Sequence, residues 1–199
     1  MIKKLTSLKE TKFLNLYDAE YTNKKGNENH WIIASRKNYT NMEKQLFEGK
    51  IDDVDAVLIC AFHKDSKKLV LIKQFRVPLN DYVYELPAGL IEPKESILTA
   101  LERELKEETG LSVCEVDYNK TKDKVYLSPG MTDESVALVY CTCTGEISKK
   151  YLEDDEDIEA ILISPSEAKE LLQENPKLDI KAYLILASFA AFGEKIFNS

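Results

Sequence analysis

The sequence predicts an α+β sandwich, because strand-like and helix-like segments follow one another in mixed order. Segments 56–62 and 69–75 are apolar and β-branched, and the turn-like segment 63–67 separates them, which is typical of paired strands. Segment 95–109 is the clearest helix, and Gly110 stands where a helix-ending glycine is expected. Its apolar residues recur at helical spacing and are Ile97, Leu98, Leu101 and Leu105.

The C-terminal half adds further elements in the same mixed order. Ser164 is a good N-cap, Pro165 suits the first helical position, and Glu167 completes a capping box, so a helix is expected to begin there. The other expected elements are strands at 125–127, 135–143 and 160–163 and a final helix at 180–192.

The first fifty residues have a different character, polar and mixed. Strand-like segments 13–22 and 31–36 flank a turn cluster at 23–27. We therefore expect a small N-terminal β subdomain at residues 1–50, which covers substrate or forms a dimer contact, and a main domain at residues 51–199.

Composition limits the possible partners. The chain has 199 residues, which suits one domain of ordinary size with a small appendage. Its formal charge of −8 argues against generic binding to nucleic acid or to anionic membranes, since both require a basic surface. An anionic substrate would therefore need positive charge from elsewhere, and a divalent metal ion is the obvious source.

Cysteine usage and the N-terminus predict a cytoplasmic protein. The 4 cysteines include no CxxC pair, and with only 2 histidines a zinc site is not expected. Cys141 and Cys143 alternate within a predicted strand and should fill a core face, whereas His30 and His63 are expected in surface or turn positions. No apolar stretch follows the first lysines, and the nearly apolar run 182–192 is too short to span a membrane.

The predicted helix at 95–109 has an unusual polar face. Glu104, Glu107 and Glu108 fall within an arc of roughly 100° near its C-terminal end, where like charges repel and the helix dipole disfavours anions. A bound hard cation such as Mg²⁺ or Mn²⁺ would relieve both effects. The alternative interpretation is a solvated acidic face, which is common on helices.

Spacing around this helix resembles the complete Nudix box. Gly89 is followed after five residues by Glu95 and after seven more by the segment 103–111, so every fixed position of the motif is filled. The resemblance implies a Nudix fold, in which a mixed sheet lies between helices. It also implies metal-dependent hydrolysis of a nucleoside diphosphate linked to another group.

The same resemblance assigns roles to individual residues. It implies that Glu104, Glu108 and the carbonyl of Ala88 bind metal, and that Glu107 is either a ligand or a catalytic residue that orients water. Arg103 and Glu95 would form a structural pair, Gly89 would permit a tight turn, and Gly110 would end the helix.

Segments outside the box resemble the ADP-ribose pyrophosphatase branch of the Nudix hydrolases. These are 74–76, 84–92 and the loop 128–134. In that resemblance Arg76 binds a phosphate, Glu85 supports water or a second metal on the substrate side, and Glu134 is the catalytic general base. Each has a simpler alternative: a surface arginine, a carboxylate paired with a lysine, and an ordinary loop acid.

Two further features depend on the same resemblance. Trp31 and Arg36 match an aromatic-plus-arginine clamp on adenine, in a branch whose N-terminal segment covers the site of the other subunit of a homodimer. Segment 152–158 resembles an acidic loop of bacterial members, but residues 153–157 are assigned no role, since such a run is most often solvated.

Taken together, the resemblance implies a Mg²⁺-dependent hydrolase, with Mn²⁺ as a substitute, that cleaves ADP-ribose to AMP and ribose 5-phosphate. Two alternatives stay open at this point. One is a pyrophosphatase for another nucleoside diphosphate sugar, such as GDP-mannose, and the other is a non-catalytic sensor that binds ADP-ribose.

Overall fold

The computed structural model describes residues 1–49, 53–153 and 156–197. The chain forms two compact units, one comprising Met1–Asp55 and Lys124–Val136 and the other comprising Ala56–Asp123 and Ala137–Ser199. The domain boundary expected between residues 50 and 51 lies outside the described residues and stays a prediction. Asp154 and Asp155 of the predicted acidic loop also lie outside the described residues.

The described part of the first unit contains a three-stranded antiparallel sheet and an α-helix. Its strands are β1 (Ile2–Lys9), β2 (Asn15–Thr22) and β3 (Glu28–Ser35), in that order across the sheet, and the helix is α1 (Tyr39–Glu48). Tyr17 and Ala19 alternate along β2 and pack with Leu5 and Met42 in a small core. The predicted hairpin of β2 and β3 is present, whereas β1 and α1 were not predicted.

The second unit contains a mixed sheet with strand order β11-β5-β4-β10-β8, while β6 pairs with β5 and β7 with β4. The strands after β3 are β4 (Ala56–His63), β5 (Lys68–Arg76), β6 (Asp81–Glu85), β7 (Ala88–Leu90), β8 (Ser112–Val116), β9 (Lys122–Tyr126), β10 (Ser135–Thr144) and β11 (Ile158–Ile163).

Both strand directions occur in this sheet. The neighbours of β5 run antiparallel to it, as does β8 to β10. In contrast, β4 and β10 run parallel, because Asp55 N–H donates to the carbonyl of Ser135 (3.0 Å) at their beginning and Lys64 N–H donates to the carbonyl of Cys143 (2.9 Å) at their end. The mixed sheet is therefore confirmed.

In the described part of the second unit the α-helices are α2 (Ile97–Thr109), α3 (Pro165–Gln173) and α4 (Ile180–Phe192). The predicted capping box of α3 is present, with Ser164 accepting from Glu167 N–H and the Glu167 carboxylate accepting from Ser164 N–H. Every residue of β4 is buried, as expected for a strand covered on both faces. The predicted α+β sandwich is confirmed.

Histidine placement differs from the expectation in one case. His63 is a buried residue at the end of β4, where Nδ1 bonds the hydroxyl of Ser66 (2.8 Å) and Nε2 bonds the carbonyl of Gly145 (3.0 Å). The prediction of a surface or turn position was wrong for His63 because these two partners compensate its burial. His30 is exposed and contacts Asp18 at 2.8 Å.

Apolar residues of the C-terminal half also divide between core and surface. Cys141 and Cys143 are buried, as predicted. Within α4, Ala182, Leu186 and Phe189 are buried, whereas the side exposed in the single chain includes Ile180, Tyr183, Leu184 and Phe192. Across the described residues, no helix has both the length and the apolarity needed to cross a membrane.

Candidate active site

The acidic end of α2 is buried at the two positions that matter most. The helix begins after Ser96, whose hydroxyl accepts from Thr99 N–H (3.1 Å), and ends at Gly110 with φ 77°. Glu104 and Glu108 are only 8% and 4% exposed. A solvated acidic face does not describe these two carboxylates.

Arg103 is the counter-ion for this end of the helix. Its guanidinium donates to both oxygens of Glu95 (2.9 Å each), to Glu104 Oε1 (2.7 Å), to Glu107 Oε2 (3.0 Å) and to the carbonyl of Leu90 (2.9 Å). The predicted structural pair is therefore confirmed. Hydrogen bonding from Arg103 lowers the pKa of Glu95 to about 2.

Gly89 and Glu104 are in unusually close contact. A Cβ atom at position 89 would lie 1.9 Å from the carboxyl carbon of Glu104 and about as close to both of its oxygens. The expectation that Gly89 permits a tight turn was wrong, since it lies in β7 without a positive φ. Glycine at this position leaves room for the Glu104 carboxylate, which occupies the space that a side chain at position 89 would take.

Glu108 is held by the strand beside it. Its Oε2 accepts from Ala88 N–H (3.0 Å), but burial raises its pKa well above the ordinary value, and the charges of Glu104 and Glu156 raise it further. Burial likewise raises the pKa of Glu104, although Arg103 opposes the shift. Burial therefore makes both groups costly to ionise, and the hydrogen bond from Arg103 offsets part of that cost at Glu104.

The carboxylates of Glu104 and Glu108 suit a hard divalent cation, since oxygen ligands are the ones that Mg²⁺ and Mn²⁺ prefer. Because Gly89 has no side chain, the Glu104 carboxylate lies directly against β7, and its oxygens and those of Glu108 are the ones that would hold such an ion. Among residues 1–49, 53–153 and 156–197, however, no three His, Cys, Asp or Glu side chains form a preformed cage. Glu104 and Glu107 instead converge on Arg103.

Arg76 at the end of β5 and Glu85 on the antiparallel strand β6 form a two-point ion pair, although the register places Glu85 opposite Ile72. Nε and Nη2 of Arg76 donate to the two Glu85 oxygens at 2.6 and 2.7 Å. Glu85 is buried, while about two-fifths of the Arg76 side chain is exposed, and hydrogen bonding to the Glu85 carboxylate raises the pKa of Arg76. The pair fixes the plane of the guanidinium and leaves Nη1 outside the pair.

The remaining predicted site residues lie in the first unit. Arg36 Nε donates to Glu134 Oε1 at 2.6 Å. Trp31 is 50% exposed, and its indole N–H donates to the carbonyl of Gly130 (3.2 Å) in the loop that carries Glu134. The structure therefore brings both residues of the predicted adenine clamp to the loop of the predicted base.

One group in this unit escaped the sequence analysis. Lys37 Nζ contacts Asp133 Oδ2 at 2.9 Å and Asp55 Oδ1 at 3.4 Å, and all three side chains are largely buried. A lysine and two aspartates scattered through polar segments resemble surface residues, so no sequence signal separates them from their neighbours.

Most of the chain matches a known protein family. Residues 52–184 match the family described as NUDIX domain. The chain belongs to the Nudix family. The match includes the whole of α2, both partners of the Arg76–Glu85 pair and Glu134.

Two similar proteins are ADP-ribose pyrophosphatases. The one from Saccharomyces cerevisiae is 33% identical over 188 residues, which cover 87% of this chain and 77% of the yeast protein. The one from Bacillus subtilis is 32% identical over 181 residues, which cover 77% of this chain and 93% of that protein. The predicted resemblance to this branch of the Nudix hydrolases is confirmed.

A solved structure shares the Nudix fold. The crystal structure described as an ADP compounds hydrolase superposes with a TM-score of 0.73 at 16% identity and covers 100% of this chain and 95% of its own. At this identity the match supports the fold alone.

Proposed function

We propose that this Nudix protein is a Mg²⁺-dependent hydrolase that adds water across the diphosphate bond of ADP-ribose and releases AMP and ribose 5-phosphate. The observation that carries the proposal is the burial of Glu104 beside Gly89 and of Glu108 beside Ala88, in a chain 33% identical to a yeast ADP-ribose pyrophosphatase. Burial of two acids in one turn costs free energy, and a catalytic metal site is a physical reason to retain them.

In this proposal Glu104, Glu108 and the Ala88 carbonyl hold Mg²⁺, or Mn²⁺ in its place. A divalent cation so held would draw negative charge from the diphosphate and lower the pKa of an attacking water. Glu107 is the least buried of the three helix glutamates, and in this proposal it orients that water. Arg103 keeps Glu104 and Glu107 in place through charge-assisted hydrogen bonds.

Arg76 stabilises the charge that develops on a non-bridging phosphate oxygen. Because Glu85 already fixes Nε and Nη2, Nη1 is presented with little loss of side-chain entropy. Glu134 accepts the proton of the attacking water. Trp31 and Arg36 contact the adenine, the tryptophan through its exposed ring face.

The test is a panel of nucleoside diphosphate sugars assayed with Mg²⁺, with every product identified by chromatography. ADP-ribose should be the preferred substrate and should yield AMP and ribose 5-phosphate in equal amounts. Preferred hydrolysis of GDP-mannose would favour the alternative substrate. Tight ADP-ribose binding in calorimetry without release of AMP would favour a non-catalytic sensor.

We also propose a cytoplasmic homodimer. All 4 cysteines are free, as expected in a reducing compartment. Large apolar side chains of the single chain are exposed on β3 and α4, among them Ile32 at 52% and Leu184 at 57%, and a second copy would cover such residues. Light scattering at several concentrations should give twice the mass of one chain, and a constant monomer mass would contradict the dimer.

A further inference from the structure

The segment 128–134, here called the Glu134 loop, lies along β3 and the residues that follow it. Ala34 N–H donates to the carbonyl of Met131 (3.0 Å), and Ala34 forms a parallel bridge with Thr132. Together with the indole bond from Trp31 to Gly130, these contacts attach the middle of the loop to the strand.

The end of the loop is attached by two ion pairs that follow one another in sequence. Arg36 contacts Glu134 at 2.6 Å, and Lys37 contacts Asp133 at 2.9 Å. The first pair is partly open to solvent, since the Arg36 side chain is 37% exposed. The second pair is closed, with side-chain exposures of 9% for Lys37 and 11% for Asp133.

Lys37 also reaches the residue on the other side of Glu134, through Asp55. Lys37 Nζ lies 3.4 Å from Asp55 Oδ1, and Asp55 Oδ2 accepts from the backbone N–H (2.8 Å) and the hydroxyl (3.2 Å) of Ser135. Both sequence neighbours of Glu134 are therefore held by the Lys37 ammonium group. Asp133 contacts it directly, and Ser135 is bonded to Asp55, which contacts it in turn.

We infer that Lys37 is a positioning residue that holds the Glu134 loop through Asp133 and Asp55. This inference rests on the proposed function, because it takes Glu134 as the group that accepts a proton from water. Lys37 acts without contacting substrate, because its Nζ contacts the two aspartates and its side chain is nearly all buried.

The physical basis is the cost of an unpaired buried charge. Without the lysine, Asp55 and Asp133 would face each other as two buried carboxylates that share no cation, which is strongly unfavourable. The loop can relieve this repulsion by moving Asp133 toward solvent. That movement displaces Glu134, the next residue along the chain, and small displacements of a catalytic group reduce turnover severely.

The test compares Lys37→Met, which keeps the length of the side chain without its charge, with Lys37→Arg, which keeps the charge. Lys4→Met is the matched control, since it breaks an exposed lysine–glutamate pair of the same unit, Lys4–Glu20 at 2.9 Å. Each variant is assayed with ADP-ribose for kcat and KM. Acrylamide quenching of Trp31, the only tryptophan in the chain, reports on the attachment of the loop independently of activity.

Lys37→Met should lower kcat about tenfold or more, raise KM by a smaller factor and increase quenching of Trp31. Lys37→Arg should restore most of the turnover, and Lys4→Met should match the wild type in all three measurements. If Lys37→Met does not fold, Asp133→Asn, which preserves the shape of the side chain, should show the same pattern.

Unchanged turnover and unchanged quenching in a folded Lys37→Met protein would overturn the inference. The variant Glu134→Gln tests the inference about Lys37 separately from the proposed function. Full activity of Glu134→Gln would also overturn the inference, since Glu134 would then not be a base that needs positioning. A wild-type chain that releases no AMP from ADP-ribose would contradict the proposed function, and the quenching comparison would then decide whether Lys37 anchors the loop.

Discussion

The carboxyl group of Glu104 lies where the side chain of any other residue at position 89 would begin, 1.9 Å from an ideal Cβ. The atoms in conflict belong to the end of a flexible side chain rather than to backbone. A substitution at Gly89 is therefore accommodated by moving Glu104, at little cost to the fold.

Gly89→Ala should consequently impair catalysis more than stability. We expect kcat to fall about tenfold or more because the carboxylate is displaced from its position, while the melting temperature changes by only a few degrees. Gly26→Ala is the control, because Gly26 has φ 86° in an open turn, so this change strains the backbone without touching the site. Equal activity of Gly89→Ala and wild type would show that the position of Glu104 is unimportant.

Binding of Mg²⁺ should be measurable as thermal stabilisation. A hundredfold excess over Kd stabilises a folded protein by about 2.7 kcal/mol, which corresponds to roughly 5–10 °C at this chain length. Glu108→Gln should lose most of this stabilisation and lower kcat at least about a hundredfold. The control is Glu102→Gln, which changes an exposed glutamate on the same helix and should retain the thermal stabilisation and kcat of the wild type. A Glu108→Gln protein with the full thermal shift would remove Glu108 from the metal site.

The planar fork of Arg76 should be needed as well as its charge. Arg76→Lys should reduce kcat/KM about tenfold or more, because a lysine cannot bind both Glu85 oxygens and a phosphate at once. Lys68→Met, which breaks an exposed pair with Glu167, is the control and should leave kcat/KM unchanged. If Arg76→Lys is as active as the wild type, the guanidinium has no geometric role.

Trp31 offers a separate test of adenine recognition. Stacking on a base contributes about 1–3 kcal/mol, so Trp31→Ala should raise KM for ADP-ribose by roughly 5- to 150-fold. Trp31→Phe keeps an aromatic face and loses the indole bond to Gly130, so it should raise KM less. Equal KM values for the alanine variant and the wild type would exclude a stacking role.

The Glu95–Arg103 pair should contribute stability in a defined pH range. Since the pKa of Glu95 falls from 4.5 to about 2 in the folded protein, its contribution is complete above about pH 4.5 and is lost as the pH falls toward 2. In urea denaturation the free energy of unfolding should be higher for wild type than for Glu95→Gln at pH 7, and this difference should shrink below pH 4. A difference that is constant from pH 7 to pH 2.5 would contradict an ionic contribution.

Periodicity was sufficient to predict the helix that carries the acidic residues of the site, whereas the strand β7 beside it was expected to be a tight turn. The apolar spacing of α2 and the position of Gly110 predicted this helix to within two residues, because a helix that packs on a sheet must repeat its apolar residues at that period. The Nudix spacing then predicted the contact between Arg103 and Glu95, eight residues apart.

Other features could not be predicted because they depend on tertiary contacts. The sequence of β1 lacks the alternation of apolar and polar residues that marks a strand, and in the structure only Leu5 of β1 is buried. The importance of Gly89 arises from a carboxylate fifteen positions later rather than from its own backbone angles. Lys37 is buried by aspartates that come from separate segments of the chain, and a single sequence does not show such a pairing.

Arg103 spreads one guanidinium over three glutamates and a backbone carbonyl, so the acid-rich end of its helix already has a resident neutralising group. Because Arg103 neutralises part of this negative charge, we expect the chain to fold without a metal ion. A chelator should then act as a reversible off-switch for the catalyst, and returning Mg²⁺ should restart turnover within the mixing time, with no refolding lag.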